Sequence, residues 1–325
     1  MPPVDKSVHP PYSLPMPAKN FHVRQAAVSA LRAWAKGHDY AETLIDRHAD
    51  RRMLSSQDRG LLQAILFATL RHRRLLDHWI GILREGKLDP ETRDVLRVGL
   101  VQILILGIPD HAAVNETVEA GKASVRALVN AVLRRAVLSR TRLLDLGELP
   151  AALAHSHPDW LYNRWRQEFG KADTLSLMVW DNTPAENYFR INPLAGAAGA
   201  DDFSAFPAVK DAPGFHHLEG PPPGALLSAG KIYIQDPATR HAVDLLAPQP
   251  GERVLDACAA PGGKAFLIAA ALGSADNLLC TDSNEKRLPR LKENLERLHA
   301  GQAETAVHDW TKPAPEEWHG TFDAI

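Results

Sequence analysis

Apolar residues in this chain follow two different rhythms. From residue 21 to about 146 they recur every three or four positions, the spacing of helices that each bury one face. Val23, Ala26, Ala27, Ala30, Leu31 and Trp34 share such a face. Gln57-Asp58-Arg59 precedes a long apolar stretch from Leu61 to Arg71, and Asp89-Pro90-Glu91 sets a capping residue before a first-turn proline. A largely apolar helix is predicted from Val95 to Leu106, the next opens within Ile108–Glu116, and Leu128–Arg135 closes the set. Beyond residue 250 the rhythm becomes strand, helix, strand. Val254-Leu255-Asp256 reads as a short strand, the run behind Lys264 as a helix, and Asn277–Asp282 as a second strand. Leu288, Leu291, Leu295 and Leu298 give a helix within 284–298, which Pro289 is expected to perturb slightly. Thr305–Asp309 reads as a third strand, and Phe322–Ile325 begins a fourth. This alternation predicts a parallel, doubly wound α/β sheet behind an all-α bundle.

The turn between the first strand and its helix, Asp256-Ala257-Cys258-Ala259-Ala260-Pro261-Gly262-Gly263-Lys264, is poor in side chains. A ligand can therefore lie against bare backbone, beside the N–H groups of a helix start. A phosphate-cradling P-loop is excluded, because Cys258 stands where its first glycine belongs and Ala265 where its Ser or Thr belongs. The G-x-G-x-x-G dinucleotide pattern is absent as well. An ordinary strand-to-helix turn is the plain alternative. Against it, Asp256, Asp282 and Asp309 each fall at or near a strand's carboxyl end, where such sheets bind ligands. Asp282 lies about 20 residues past the glycine turn, the place of an acceptor for ribose hydroxyls.

Charge divides along the same boundary. The chain carries 37 Lys and Arg against 39 Asp and Glu, yet residues 20–145 hold 20 against 14, leaving 17 against 25 elsewhere. Arg51-Arg52, Arg71-His72-Arg73-Arg74 and Arg134-Arg135 make the helical half a candidate for phosphate contact, although any one pair could simply be a solvated helix face. The two cysteines, Cys258 and Cys280, suit a reducing cytoplasm and offer neither a disulfide framework nor a metal site. None of the 15 histidines makes a metal-binding spacing, and His155, His157, His216 and His217 read as loop residues. No stretch reaches the roughly 18 apolar residues of a membrane span, and no secretory signal opens the chain. Residues 1–19 are proline-rich with little apolar pattern, a disordered tail, and Ala195–Ala200 is a flexible loop by composition. A short helix within 156–170 is expected to turn Trp160 and Trp165 inward. Tyr188–Pro193 reads as a strand, Pro221-Pro222-Pro223-Gly224 as a turn or stiff connector, and Asp236-Pro237 opens a helix toward Leu246.

The turn resembles the cofactor loop of the S-adenosylmethionine-dependent RNA cytosine-5 methyltransferases of the Sun/Fmu family, in the NOL1/NOP2/Sun superfamily. The likeness extends back through Tyr233-Ile234-Gln235-Asp236-Pro237-Ala238 and Pro250–Leu255. The helical half resembles the NusB-like RNA-binding domain that precedes the methyltransferase in the bacterial RsmB (Sun) members of that family. Behind the tail over 1–19, the resemblance implies a NusB-like domain over 20–146, a linker and small α/β subdomain over 147–225, and a Rossmann-like methyltransferase domain over 226–325, its N-terminal part only. It implies S-adenosyl-L-methionine as cofactor. Cys258, Ala259, Ala260, Pro261, Gly262, Gly263 and Lys264 would wrap its methionine part, Asp282 would accept from the ribose, and Asp309 would stand beside the adenine. The implied partner is small-subunit ribosomal RNA, with no metal and no membrane, and the protein is expected to be a monomer in the cytoplasm. In the family, a thiolate adds to C6 of cytosine so that C5 can attack the sulfonium methyl. Both family cysteines lie beyond the fourth strand, so neither Cys258 nor Cys280 takes that role. Residues 1–325 are expected to be an enzyme cut short, inactive alone. Two other readings stay open: a non-catalytic RNA-binding or assembly module, and a methyltransferase acting on a small molecule or protein.

Overall fold

The computed structural model describes residues 21–196 and 203–325. The tail expected over 1–19, and the loop expected at Ala195–Ala200 beyond Gly196, lie outside the described residues. The chain forms two compact units, one ending at Pro184 and one running from Ala185 to Ile325. Residues 147–225 contribute to both.

Among the described residues the first unit contains helices and no strand: α1 (Phe21–Trp34), α2 (Ala41–Arg51), α3 (Ser56–Arg71), α4 (Arg73–Leu83), α5 (Pro90–Leu104), α6 (Asp110–Ala120), α7 (Arg126–Leu138), α8 (Arg140–Leu144), α9 (Ala151–Ala154) and α10 (Asp159–Asp181). Ser55 caps α3 by accepting from the Asp58 N–H, and Asp89 caps α5 through the N–H groups of Glu91 and Thr92, with Pro90 at its start. The expected face of α1 is the one that packs, with Val23, Ala26, Ala27 and Ala30 fully buried. Its alanines let α1 lie close against α2, α3, α5 and α6. Helix α5 is buried on nearly every side. There Gly99 meets Leu133 of α7, so closely that an added Cβ would stand 2.6 Å from the leucine methyls. Arg97 is buried on the same helix with both edges paired, to Asp77 at 2.9 and 2.7 Å and to Asp94 at 2.6 Å. Helix α10 departs from expectation: it runs past residue 170 to Asp181, with a break at Gly170 (φ 78°), and Trp160 is 66% exposed rather than packed inward. It opens at the surface beside Arg74, whose guanidinium pairs with Asp159 at 2.7 Å, so its first-turn tryptophan faces outward.

The second unit holds β1 (Tyr188–Ile191), β2 (Phe215–His217), α11 (Gly224–Ser228), β3 (Ile232–Ile234), α12 (Arg240–Leu246), β4 (Val254–Asp256), α13 (Gly263–Leu272), β5 (Leu278–Asp282), α14 (Leu288–Arg297) and β6 (Glu304–Val307). A small antiparallel sheet has the order β2-β1-β3, with Phe189, Leu218 and Ile232 in its core. His216 and His217, expected in a loop, belong to β2, where His216 stacks on Phe189 at 5.3 Å. The second sheet is parallel, in the order β4-β5-β6. Val254, Leu278 and Cys280 turn one face of it onto Ala265, Ile268 and Ala269 of α13 and Leu291 and Leu295 of α14. Pro289 leaves α14 undisturbed, because the helix proper begins at Leu288 and a first-turn proline surrenders no hydrogen bond. The fourth strand begins as expected, on the free side of β4: Ala324 bridges Val254 in parallel, and the Leu255 N–H donates to the Ala324 carbonyl at 3.0 Å. Successive strands step from β4 to β6 in one direction, and the chain then returns across β4. The carboxyl end of β4 is therefore the point where strand order reverses, the place where open α/β sheets hold ligands.

Candidate functional site

The site grows from the end of β4. Asp256 closes the strand, residues 257–262 turn, and α13 opens at Gly263. Gly262 is required twice over. Its φ of 108° is left-handed, and an added Cβ would lie 3.2 Å from the Leu291 side chain. Gly263 is as confined, since a Cβ there would stand 3.0 Å from the Gln235 amide nitrogen. Main-chain bonds set the turn: the Gly262 N–H donates to Ala259 at 2.6 Å, the Ala259 N–H to Thr281 of β5 at 2.8 Å, and the Thr281 hydroxyl to the Ala257 carbonyl at 3.0 Å. Ala259, Ala260 and Gly262 are buried, Gly263 is half-buried, and Cys258, Pro261 and Lys264 are exposed. The result is a rigid backbone surface at a helix start, with a lysine beside it.

The three aspartates stand in different states. Asp256 is buried; one carboxylate oxygen accepts from the Cys258 N–H at 3.3 Å and the other, Oδ2, makes no well-formed hydrogen bond. Burial raises its pKa, opposed by the ammonium of Lys264. Asp282 is also buried, accepting from the Asn284 N–H at 3.0 Å and lying 3.2 Å from the Arg287 guanidinium. Asp309 follows the end of β6 with its side chain 41% exposed, and accepts from the Thr311 N–H at 3.0 Å and hydroxyl at 2.7 Å. Those bonds hold its carboxyl below the ordinary value. The His308 N–H donates to the Asp282 carbonyl at 3.2 Å, which fixes the last strand end against the second.

The turn and Asp282 are joined by a residue that sequence reasoning passed over. Arg287 reaches from Asp282 back to the Ala260 carbonyl, at 2.7 Å. Asn294 of α14 likewise donates to the Pro261 carbonyl at 2.8 Å, and the Trp310 indole N–H donates to the Thr281 hydroxyl at 2.9 Å. One signal for Arg287 was present. A cation just ahead of a helix start opposes the helix dipole, so its position asks for a carboxylate or carbonyl nearby. Cys280 lies fully buried in β5, where desolvation pushes its thiol well above the ordinary value; it is an inert core residue.

This arrangement can hold a ligand having a diol or similar donors toward Asp282 and a chain laid along the glycine backbone. Known proteins resemble this chain in both units. The NusB family profile matches residues 22–137, and that of the 16S rRNA methyltransferases RsmB/F matches residues 243–325. The probable ribosomal RNA small subunit methyltransferase B of Synechocystis is 31% identical over 89% of this chain and 70% of its own length. The ribosomal RNA small subunit methyltransferase B of Yersinia pseudotuberculosis is 33% identical over 84% of this chain, which spans only 66% of that relative. Among solved structures, PH0851 shares the fold with a TM-score of 0.66 at 20% identity, over 93% of this chain and 71% of its own. With a NusB-type helical region and an RsmB/F-type parallel sheet on one polypeptide, and 31% identity to a relative of which it covers 70%, the chain belongs to the ribosomal RNA small subunit methyltransferase B family.

Proposed function

We propose that the second unit binds S-adenosyl-L-methionine and that the whole protein uses it to methylate C5 of a cytosine in small-subunit ribosomal RNA. The observation that carries this reading is the convergence at the switch point. A turn poor in side chains, Cys258–Lys264, is tied by Arg287 to a buried carboxylate, Asp282, at the end of the next strand. In this reading the turn runs along the methionine part, Asp282 accepts from the ribose hydroxyls, and Asp309 stands by the adenine. Asp309 already satisfies itself through Thr311. Its engagement therefore requires the local turn to open, or the Oδ2 edge to exchange its ion pair with Lys312, 3.7 Å away, for the ligand.

The cofactor supplies an electrophilic methyl group. Carbon 5 of cytosine becomes nucleophilic once a thiolate adds at C6. Neither cysteine of this chain suits that step: Cys280 is buried in the sheet, and Cys258 belongs to the turn that would cradle the cofactor. We assign the nucleophile to the part of the relatives' length that this chain does not span. Residues 1–325 then bind cofactor and RNA but transfer no methyl group. The basic first unit is assigned to the RNA.

Two measurements test the reading. Calorimetry with S-adenosylhomocysteine is expected to detect one site per chain, and a folded sample with no affinity overturns the cofactor assignment. Incubation of residues 1–325 with small-subunit RNA and methyl-labelled cofactor is expected to leave the RNA unlabelled, whereas the length of its relatives labels it. Turnover by 1–325 overturns the assignment of the nucleophile.

A further inference from the structure

Arg190 is the most exposed anomaly of the second unit in energetic terms, although it is almost wholly buried. It occupies the central strand β1, opposite Phe215 of β2 and Tyr233 of β3, and is 4% exposed. Its guanidinium lies 4.0 Å from the centroid of the Phe266 ring, on the first turns of α13, and 6.0 Å from that of Phe215. Two of its nitrogens, Nε and Nη2, are buried without any hydrogen-bond partner. Aromatic faces attract the cation but leave its in-plane N–H groups unserved. Burial depresses its pKa to about 9, so the group is still a cation at neutral pH. The positive end of α13 is close by, which adds to the cost.

Two acceptors in the same neighbourhood also lack a well-formed hydrogen bond. Gln235, the residue after β3, packs its amide nitrogen against Gly263 and leaves its carbonyl Oε1 buried and without a donor. Asp256 Oδ2 makes no well-formed hydrogen bond, although the Ala265 N–H of α13 acts on this carboxylate. Buried donors and acceptors are nearly always paired, and a cluster that is not asks for a physical reason, such as a role in binding. Unserved N–H groups of a cation call for an oxyanion. Unserved carbonyl and carboxylate oxygens call for a cationic or N–H donor. Both needs, gathered about the first turns of α13 through Phe266 and Gly263, are met together by an α-amino-acid zwitterion.

We propose that the antiparallel sheet reads the amino-acid head of the cofactor: Arg190, with the first N–H groups of α13, takes the α-carboxylate, and Gln235 Oε1 takes the α-ammonium. This rests on the cofactor reading above and adds to it a function for a sheet that precedes the glycine turn in the chain. Arg190 and Gln235 are thus binding residues, and the small sheet is one wall of the cofactor site.

The test compares two ligands that differ by the amino-acid head and the methylene that carries it. S-adenosylhomocysteine carries the zwitterion; 5′-methylthioadenosine keeps the adenosine and thioether and lacks it. Titration of residues 1–325 is expected to find both bound by the unaltered chain. Arg190→Met is expected to weaken S-adenosylhomocysteine roughly 10- to 100-fold, the size of a charge-assisted pair, and to leave methylthioadenosine within about twofold. Arg190→Lys, which keeps the charge but not the fork, is expected to fall between, and Gln235→Met to weaken the same ligand by less than Arg190→Met. If the unaltered chain binds neither ligand, the cofactor reading itself fails. If it binds both, and Arg190→Met weakens them equally or not at all, the head-group assignment alone is overturned. Loss of RNA binding with unchanged S-adenosylhomocysteine affinity also overturns it and gives Arg190 to a phosphate. Thermal unfolding identifies a misfolded Met variant, in which case Arg190→Lys and Gln235→Met carry the comparison.

Discussion

The two units treat buried charge in opposite ways. In the helical unit Arg97 has Asp77 and Asp94 on its two edges, and Arg24 donates to Gln102, whose own amide donates to Val98 and Thr117. These networks are closed. Nothing is left over for a ligand, and their work is to fix helix against helix. In the α/β unit, Arg190, Gln235 and Asp256 each keep a buried polar atom without a well-formed hydrogen bond near the first turn of α13, and His308 Nε2 does so beside Trp310 and Trp318. The few open atoms of the helical unit, at His72 and Arg140, belong to separate places in the bundle. Closed networks accompany architecture, and open ones accompany a site.

The sharpest way to break this contrast is to remove one arginine from each unit. Arg97→Met should cost about 3–5 kcal/mol, because Asp94 is left charged and buried with no counter-ion. Arg190→Met should cost the ligand-free protein nothing or stabilise it, since an unpaired buried cation is taken away. Urea unfolding of both variants measures the difference, and equal losses would erase the distinction between the units.

Acid tests the helical unit alone. Burial, with help from Arg71, His157 and His155, holds His72 at about 4, below its ordinary 6.5. The unfolded chain therefore takes up a proton that the fold refuses. Stability is complete above pH 6.5 and is lost as the pH falls toward 4, by roughly 3 kcal/mol at most. His72→Leu should flatten that part of the pH profile, followed by the unfolding midpoint between pH 4 and 7.

Two glycines separate packing from binding. Gly99→Ala forces a methyl group onto Leu133 and should cost about 1–3 kcal/mol without touching ligand affinity. Gly262→Ala meets a left-handed backbone and the Leu291 side chain, and should cost about 1–2 kcal/mol. It should also weaken S-adenosylhomocysteine at least tenfold, because the turn itself must shift; unchanged affinity would remove the turn from the site. The smallest effect is expected at Asp256→Asn. Burial raises this carboxyl above its ordinary 3.8, so the fold holds the proton more tightly than the unfolded chain does. The Asn variant should be more stable than the parent at neutral pH, and the gain should shrink as pH falls toward 3.8.

Much of the site was legible because its parts are local. Cofactor loops of this kind need small residues in sequence, so Pro261-Gly262-Gly263 announces itself, and an acidic residue ending an apolar run is equally visible at Asp282. Arg287, Asn294 and Trp310 were missed because each acts on a main-chain or hydroxyl oxygen some 27 to 33 residues away, a pairing no local pattern encodes. Trp160 was misread for a related reason. A large aromatic defaults to the core, and its outward position follows from where α10 begins.

Sequence alone determined the order of elements, the break between an all-helical region and a parallel sheet, and the loop with its strand-end carboxylates. Periodicity and steric demands on glycine act over a few neighbouring residues, so they are written where they apply. Only the tertiary structure decided which polar groups find partners. Arg97 and Arg190 are both arginines within apolar surroundings, indistinguishable by type or spacing. The distant packing of α4 supplies Asp77 to the first, while the packing of α13 supplies the second with nothing but aromatic rings.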